Sequence, residues 1–280
     1  MKLIKPSFTI IEQQAGLEGM YKQIELAGRT CYRSTDKITE DSAKEFVDRM
    51  IKSGHGAMLE HGTVYLFARW YQHAAESLLS KYYDNKFSRF NTNDNGTYIT
   101  TNLRVLVEND WLDDLQYICA PTEHHEKRHT VKFICDRGVS HEFVRHRVFS
   151  FAQESTRYCN YSKDKFGNEI TFVFPIWMDE ELLNSYGSYH TVARSSTPES
   201  VFIASLNNAE KDYLSLINMG WKAQEARAIL PNALKTELVM TGFKSDWEHF
   251  FELRDAGSAH PQAKELAQPL HQEFIKRNLL

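Results

Sequence analysis

Hydrophobic residues recur along this 280-residue chain with two different periods, and the two kinds of segment follow one another in no repeating order. Apolar side chains at three- and four-residue spacing predict amphipathic helices over Leu17 to Ala27 and Asp41 to Ile51, with capping residues for the second at Thr39 to Asp41. Residues 7–13 read as a strand. Aromatic and β-branched side chains alternate from Thr63 to Trp70, which predicts another strand, leading into a short helix over Ala74 to Tyr82. The Asn- and Asp-rich stretch Asp84 to Gly96 reads as a loop. Further strands are expected at His129 to Cys135 and at Ile170 to Phe174, the second stopped by Pro175. Long helices are expected at Pro198 to Met219, with Thr197 as cap and Pro198 in its first turn, and at Gln262 to Arg277. Strands and helices mixed without a repeating alternation predict an α+β fold, a mixed sheet with packed helices. Only 13 Gly and 7 Pro argue against a long flexible linker, so residues 1–280 are expected to form one domain.

Composition removes several function classes. With 42% hydrophobic and 25% charged residues the chain can bury a sizeable core, which excludes disorder. Thirty-three Lys and Arg against thirty-seven Asp and Glu leave a net charge of -4, so no global positive field draws the protein to a nucleic acid. No run of about eighteen apolar residues and no cleavable leader is visible, which predicts no membrane association and a cytoplasmic setting. Cys31, Cys119, Cys135 and Cys159 lie far apart without a Cys-x-x-Cys pair, as expected of a reduced intracellular protein with no structural metal. There is no Gly-x-Gly-x-x-Gly and no Walker-type loop, so a nucleotide here would use neither glycine cradle.

Chemistry concentrates in Asp136 to Tyr161, DRGVSHEFVRHRVFSFAQESTRYCNY. Arg145, His146, Arg147 and Arg157 are interleaved there with Ser150, Gln153, Glu154, Ser155 and several aromatics. Guanidinium forks match phosphate or carboxylate, so several of them beside Ser and Gln can grip a phosphate and read a polar ring. An arbitrary Arg-His-Arg tripeptide is more often a solvated charged face, and spacing alone does not choose between the two.

The longer pattern does choose. Arg145-His146-Arg147, seven residues, then Ser155 with Arg157-Tyr158 resembles the signature of flavin-dependent thymidylate synthases. Four further blocks match that family in order: AGRTCYRS at 27–34, GHGAMLEH at 54–61, EARAILP at 225–231 and WEHFFELR at 247–254. The resemblance covers most of the chain. It implies an α+β homotetramer with FAD at the subunit interfaces, converting dUMP to dTMP with methylenetetrahydrofolate as carbon donor and NADPH as reductant. By the same resemblance His55, Ala57, Arg145, His146, Arg147, Gln153, Phe243 and His249 fall at FAD-contacting positions. Glu142, Arg145, Gln153, Ser155, Arg157, Arg227 and Arg254 fall at dUMP-contacting positions. Arg254 is expected to be catalytic, its charge favouring loss of the uracil N3 proton. Ser155 is expected to bind and not to attack, and no cysteine need be catalytic, with Cys31 the one to examine because many relatives have Ser there. Ala57 stands where a hydroxyl is frequent, Phe243 where Asn is frequent and Gln153 where Glu is frequent.

Two rival readings remain open at this point. In PTEHHEKRH, His124, His125 and His129 lie close, the last two four apart, and could ligate a metal in a hydrolase, although a solvated loop or edge strand suits so polar a run better. The Arg-rich segment with its aromatics could instead contact RNA, which the acidic total opposes.

Overall fold

The computed structural model describes residues 1–70, 74–179, 181 and 197–280. The N-terminal half runs β1 (Lys2–Ile4), β2 (Ser7–Ile11), α1 (Gly16–Cys31), α2 (Ser42–Lys52), α3 (Gly56–Leu59), β3 (Thr63–Arg69), α4 (Ala74–Tyr82), β4 (Arg89–Asn93), β5 (Gly96–Asn102) and α5 (Leu103–Glu108). Then follow β6 (Arg128–Asp136), α6 (Arg137–Phe143), β7 (Ser150–Gln153) and β8 (Thr171–Val173). The chain ends with α7 (Pro198–Asn218), α8 (Ala223–Ala226), β9 (Lys235–Phe243), α9 (Lys244–Arg254) and α10 (Pro261–Lys276). The fold is α+β, as the mixed periodicity predicts.

An antiparallel sheet in the order β2-β6-β9-β7 holds the centre. Its middle pair sets Val131 opposite Met240 and Phe133 opposite Leu238, and these four side chains are fully buried on one face. The alternate positions, among them Thr130, Thr241, Lys235 and Glu237, turn to the other face, because successive strand residues point to opposite sides. Onto the apolar face α9 brings Trp247, Phe250 and Phe251 at three- and four-residue spacing, and α10 brings Ala263, Leu266, Ala267, Leu270 and Phe274. Each such large side chain contributes roughly 1.5–3 kcal/mol by leaving water. The stripe that buries Trp247 and Phe250 also sets Arg254 at its far end, seven residues from the first and four from the second.

A second antiparallel sheet, β3-β5-β4, forms another core with α1, α2 and α4. In α1, Met20 and Ile24 belong to that core, while Ala27 meets Ala152 and Val239 of the central sheet, so one helix ties the two together. At Gly28 a β-carbon would lie 2.5 Å from the Phe46 ring, which is why α1 and α2 approach so closely there.

Several expectations are corrected. Asp84 to Gly96 is not all loop: Arg89–Asn93 pairs with β5 as an edge strand, its polar composition suiting a strand with one free side. The run to His129 opens an interior strand, not an edge, and His125 is buried, with Nε2 against the Leu66 carbonyl at 3.1 Å and Nδ1 against the Thr122 amide at 3.1 Å. Asp41 precedes α2, but its side chain caps no amide; Thr197 does cap α7, accepting from the Ser200 amide at 3.3 Å. Strands β5, β7 and β9 are not foreshadowed by alternation, and β9 is the partner of two others.

Candidate functional site

Two helix ends and the link between them build the site. Asp136 caps α6, its carboxylate accepting from the Val139 amide at 2.7 Å, and the helix buries Val139, Ser140 and Phe143. Glu142 is thereby left on its edge. The chain then turns through Arg145, His146 and Arg147 into β7. Across from it stands the end of α9, where Arg254 donates through Nε to His146 Nε2 at 2.9 Å, through Nη1 to the Glu142 carboxylate, and through Nη2 to the Glu142 carbonyl at 2.7 Å. Because His146 Nε2 accepts, its proton resides on Nδ1. Burial first, and then the Arg254 guanidinium with the neighbouring His249 and Arg145, push the His146 imidazolium down to about 4, so the ring is neutral at physiological pH.

These groups line a cleft of about 750 Å³ whose walls include Glu142, Arg145, His146, Arg147, His249 and Arg254. A second cleft, of about 470 Å³, shares Arg147 and Val148 with the first and continues over Arg89, Arg128, Ser150 and Phe243. The Phe243 ring is flanked by two guanidinium groups, Arg89 at 4.5 Å and Arg128 at 5.4 Å. Arg128 is itself held by the Glu60 carbonyl at 2.9 Å, Thr63 at 3.3 Å and Ser150 at 3.2 Å. Taken together, the paired clefts are lined by more Arg and His than carboxylate, and they offer an anion several separate donors beside an aromatic wall.

Of the residues named from the sequence, Glu142, Arg145, His146, Arg147, His249 and Arg254 meet in the first cleft and Phe243 lies in the second. The others lie elsewhere. Gln153 points to the α9 face of the central sheet and donates to Ser140 Oγ at 2.8 Å and Thr236 Oγ1 at 3.2 Å. Ser155, Arg157 and Arg227 form a separate group, in which Arg227 donates to Thr156 Oγ1 at 3.0 Å and Arg157 is exposed. His55 and Ala57 are exposed at the start of α3, in a third place. Ser155 Oγ accepts from the Arg157 amide at 3.3 Å, a turn contact of the kind that shapes backbone. Burial pushes the Cys31 thiol up to about 11, and its sulfur rests 3.9 Å from Met58 Sδ. No group of three His, Cys, Asp or Glu among the described residues is placed to hold a metal ion.

Sequence reasoning missed Arg89, Arg128 and His260, all of which line these clefts. Arg89 was hidden by the loop reading of its segment. Arg128 stands in the same polar run that suggested a metal, and only its pairing opposite Phe243 shows its place.

Comparison with known proteins bears on the same region. The Thy1 family model, described as thymidylate synthase complementing protein, matches residues 116–277, more than half of the chain. The chain belongs to this family. The matched segment carries Glu142 through Arg254, whereas His55 and Ala57 lie before it. A flavin-dependent thymidylate synthase of Pyrococcus furiosus is 32% identical over 146 residues, which are 51% of this chain and 52% of that protein. Another, of Corynebacterium aurimucosum, is 25% identical over 248 residues, 87% of this chain and 71% of that protein. The chain thus spans about half the length of the Pyrococcus relative it matches. A solved UMP/dUMP methylase, PolB of Streptomyces cacaoi, bound with 5-Br dUMP, aligns over 99% of this chain and 93% of its own with a TM-score of 0.43 and 18% identity, too slight a likeness to build on. Among the described residues no helix is long and apolar enough to cross a membrane.

Proposed function

We propose that this chain is a flavin-dependent thymidylate synthase, methylating dUMP reductively to dTMP with methylenetetrahydrofolate as carbon donor and NADPH as reductant. The observation that carries this reading is the meeting of Arg145, His146, Arg147, His249 and Arg254 in one cleft, from segments about a hundred residues apart, in a chain of the Thy1 family. The donor set fits FAD: a pyrophosphate pairs with arginines, and the exposed His249 imidazole offers a ring system a flat face. Held by these residues, FAD would supply the redox chemistry that links NADPH to the pyrimidine.

The chain's own residues have distinct tasks. Arg145, His146, Arg147 and His249 hold the cofactor, with Phe243 walling the adjoining cleft. Ser155, Arg157 and Arg227 grip the nucleotide phosphate, and Gln153 keeps the strand beneath them in register. Arg254 lies beside the uracil edge, where its positive charge favours loss of the N3 proton and polarises the ring. Glu142 holds Arg254 from behind. A cysteine nucleophile is not required, and a Cys31 thiol that stays protonated at neutral pH is in keeping with that.

In one chain, His55, the Ser155 group and the Arg254 cleft stand apart, which supports an assembly in which copies complete each other's sites. We take that assembly to be a homotetramer with FAD between subunits, in the cytoplasm, where four free cysteines stay reduced. The test is the visible spectrum of purified protein, followed by anaerobic NADPH oxidation with and without dUMP. Flavin absorbance and dUMP-dependent flavin reduction, then dTMP formation, are expected. A colourless protein that neither takes up FAD nor oxidises NADPH overturns the reading.

A further inference from the structure

We infer that Lys235, Glu154 and Tyr161 form a buried positioning device that fixes the Ser155 to Arg157 segment, and through it the grip on the nucleotide phosphate; the second step rests on the synthase reading above. Glu154 is the first residue beyond β7, and its side chain is 1% exposed. Lys235 Nζ donates to one carboxylate oxygen at 2.8 Å and the Tyr161 hydroxyl donates to the other at 3.2 Å. Lys235, itself 8% exposed, also donates to Glu237 Oε1 at 2.6 Å. Arg33 stands 3.9 Å from Glu154 and Lys132 stands 3.5 Å from Glu237, so one buried and one half-buried carboxylate face three cations.

Stability alone does not account for such a cluster. Desolvating an ion pair is costly, and well-packed apolar side chains commonly hold a strand end as firmly. What charges add is direction: a carboxylate met from two sides by a lysine and a phenol has one orientation, and the backbone beside it inherits that orientation. The following residues are pinned in turn. The Glu154 amide donates to the Glu237 carbonyl at 2.8 Å, extending the β7 to β9 ladder by one bond, and the Ser155 amide donates to the Cys31 carbonyl at 2.9 Å. The Tyr158 and Cys159 amides both donate back to the Ser155 carbonyl, at 3.2 and 2.9 Å. Arg227 reaches Thr156 from the other side. Exposed Arg157 therefore projects from a base fixed at both ends, and a phosphate that meets it need not order the segment first.

The experiment uses the full-length protein loaded with FAD and the variants Lys235→Met, Lys235→Arg and Tyr161→Phe. Lys235→Met is expected to retain flavin and kcat while the KM for dUMP rises on the order of 10- to 100-fold, the penalty of a misplaced binding group. Lys235→Arg restores most of the affinity. Hydrogen exchange at the Tyr158 and Cys159 amides is expected to quicken in Lys235→Met and, less, in Tyr161→Phe. Should Lys235→Met fail to fold, Glu154→Leu with Lys235→Met removes both charges, and the same rise in KM is expected of it. An unchanged dUMP KM together with unchanged exchange in a folded, flavin-loaded variant overturns the positioning role. If the parent protein binds no dUMP, the substrate reading falls, and the exchange rates alone decide whether the device fixes the segment.

Discussion

Arg254 and Glu142 are 112 residues apart, yet the guanidinium of one holds the other twice, at its carboxylate and at its backbone carbonyl. The third contact of Arg254, to His146, makes the pairing directional, since planar Nε and Nη donors cannot all be met unless the helix ends keep their spacing. The three contacts thus hold the Arg254 guanidinium in one orientation at the wall of the cleft.

Removing that cation tests its role. Arg254→Ala is expected to lower kcat by about 10²- to 10³-fold, the usual cost of losing one preorganised charge at a reacting centre. Glu142→Gln, which keeps the carbonyl contact and loses the charge, is expected to cost less. Steady-state kinetics with dUMP varied read both, and an unchanged kcat in Arg254→Ala refutes the assignment.

Four histidines tie stability to pH. Burial, the first cause in each, pushes His61 down to about 3, His129 and His146 down to about 4, and His125 below its ordinary value. Their neutral forms are favoured in the folded chain, so the stability they contribute is fully present above the free value near 6.5 and is lost as pH falls towards 4. Asp136 and Asp246, whose carboxyls burial pushes up, act in the opposite sense at the acid end of that range. The Tm is therefore expected to drop most clearly between about pH 6.5 and 5. A calorimetric series that finds no drop there contradicts the buried neutral histidines.

Arg128 joins α3, β3 and β7 through hydrogen bonds and also faces Phe243. Replacing it by Met removes donors to Glu60, Thr63 and Ser150 and is expected to cost about 2–4 kcal/mol of stability, a charged hydrogen bond being worth roughly 1.5–3 kcal/mol. The same variant is expected to lose flavin on gel filtration more readily than the parent. Denaturant titration and flavin absorbance per chain measure the two effects separately.

Gly242 sits where a β-carbon would lie 2.5 Å from two carbons of the Phe149 ring. That ring packs edge-on against Trp247 at 4.8 Å, so it has nowhere to withdraw. Gly242→Ala is expected to cost about 1–3 kcal/mol by overpacking. A melting temperature equal to that of the parent would show that the ring can move.

The long amphipathic helices could be read directly, because a helix that buries one stripe must write that stripe into its sequence. Expected Pro198 to Met219 became Pro198–Asn218, and expected Gln262 to Arg277 became Pro261–Lys276. Strand β9 could not be read. It mixes Lys235 and Glu237 with Leu238 and Met240, and its charged positions are tolerable only because Glu154 comes from elsewhere to meet Lys235 and Lys132 to meet Glu237.

The sequence by itself determined the fold class, the chemical character of the Asp136 to Tyr161 segment and, through ordered blocks, the family. Those are properties of residue type and local spacing. The tertiary structure decided which of the candidate residues meet. It brought His146 and His249 to one cleft with Arg254, set Ser155, Arg157 and Arg227 apart from them, and added Arg89 and Arg128, which no local pattern marked. Proximity between side chains a hundred residues apart depends on how strands pair and which helix face is buried, and those are settled only when the whole core packs.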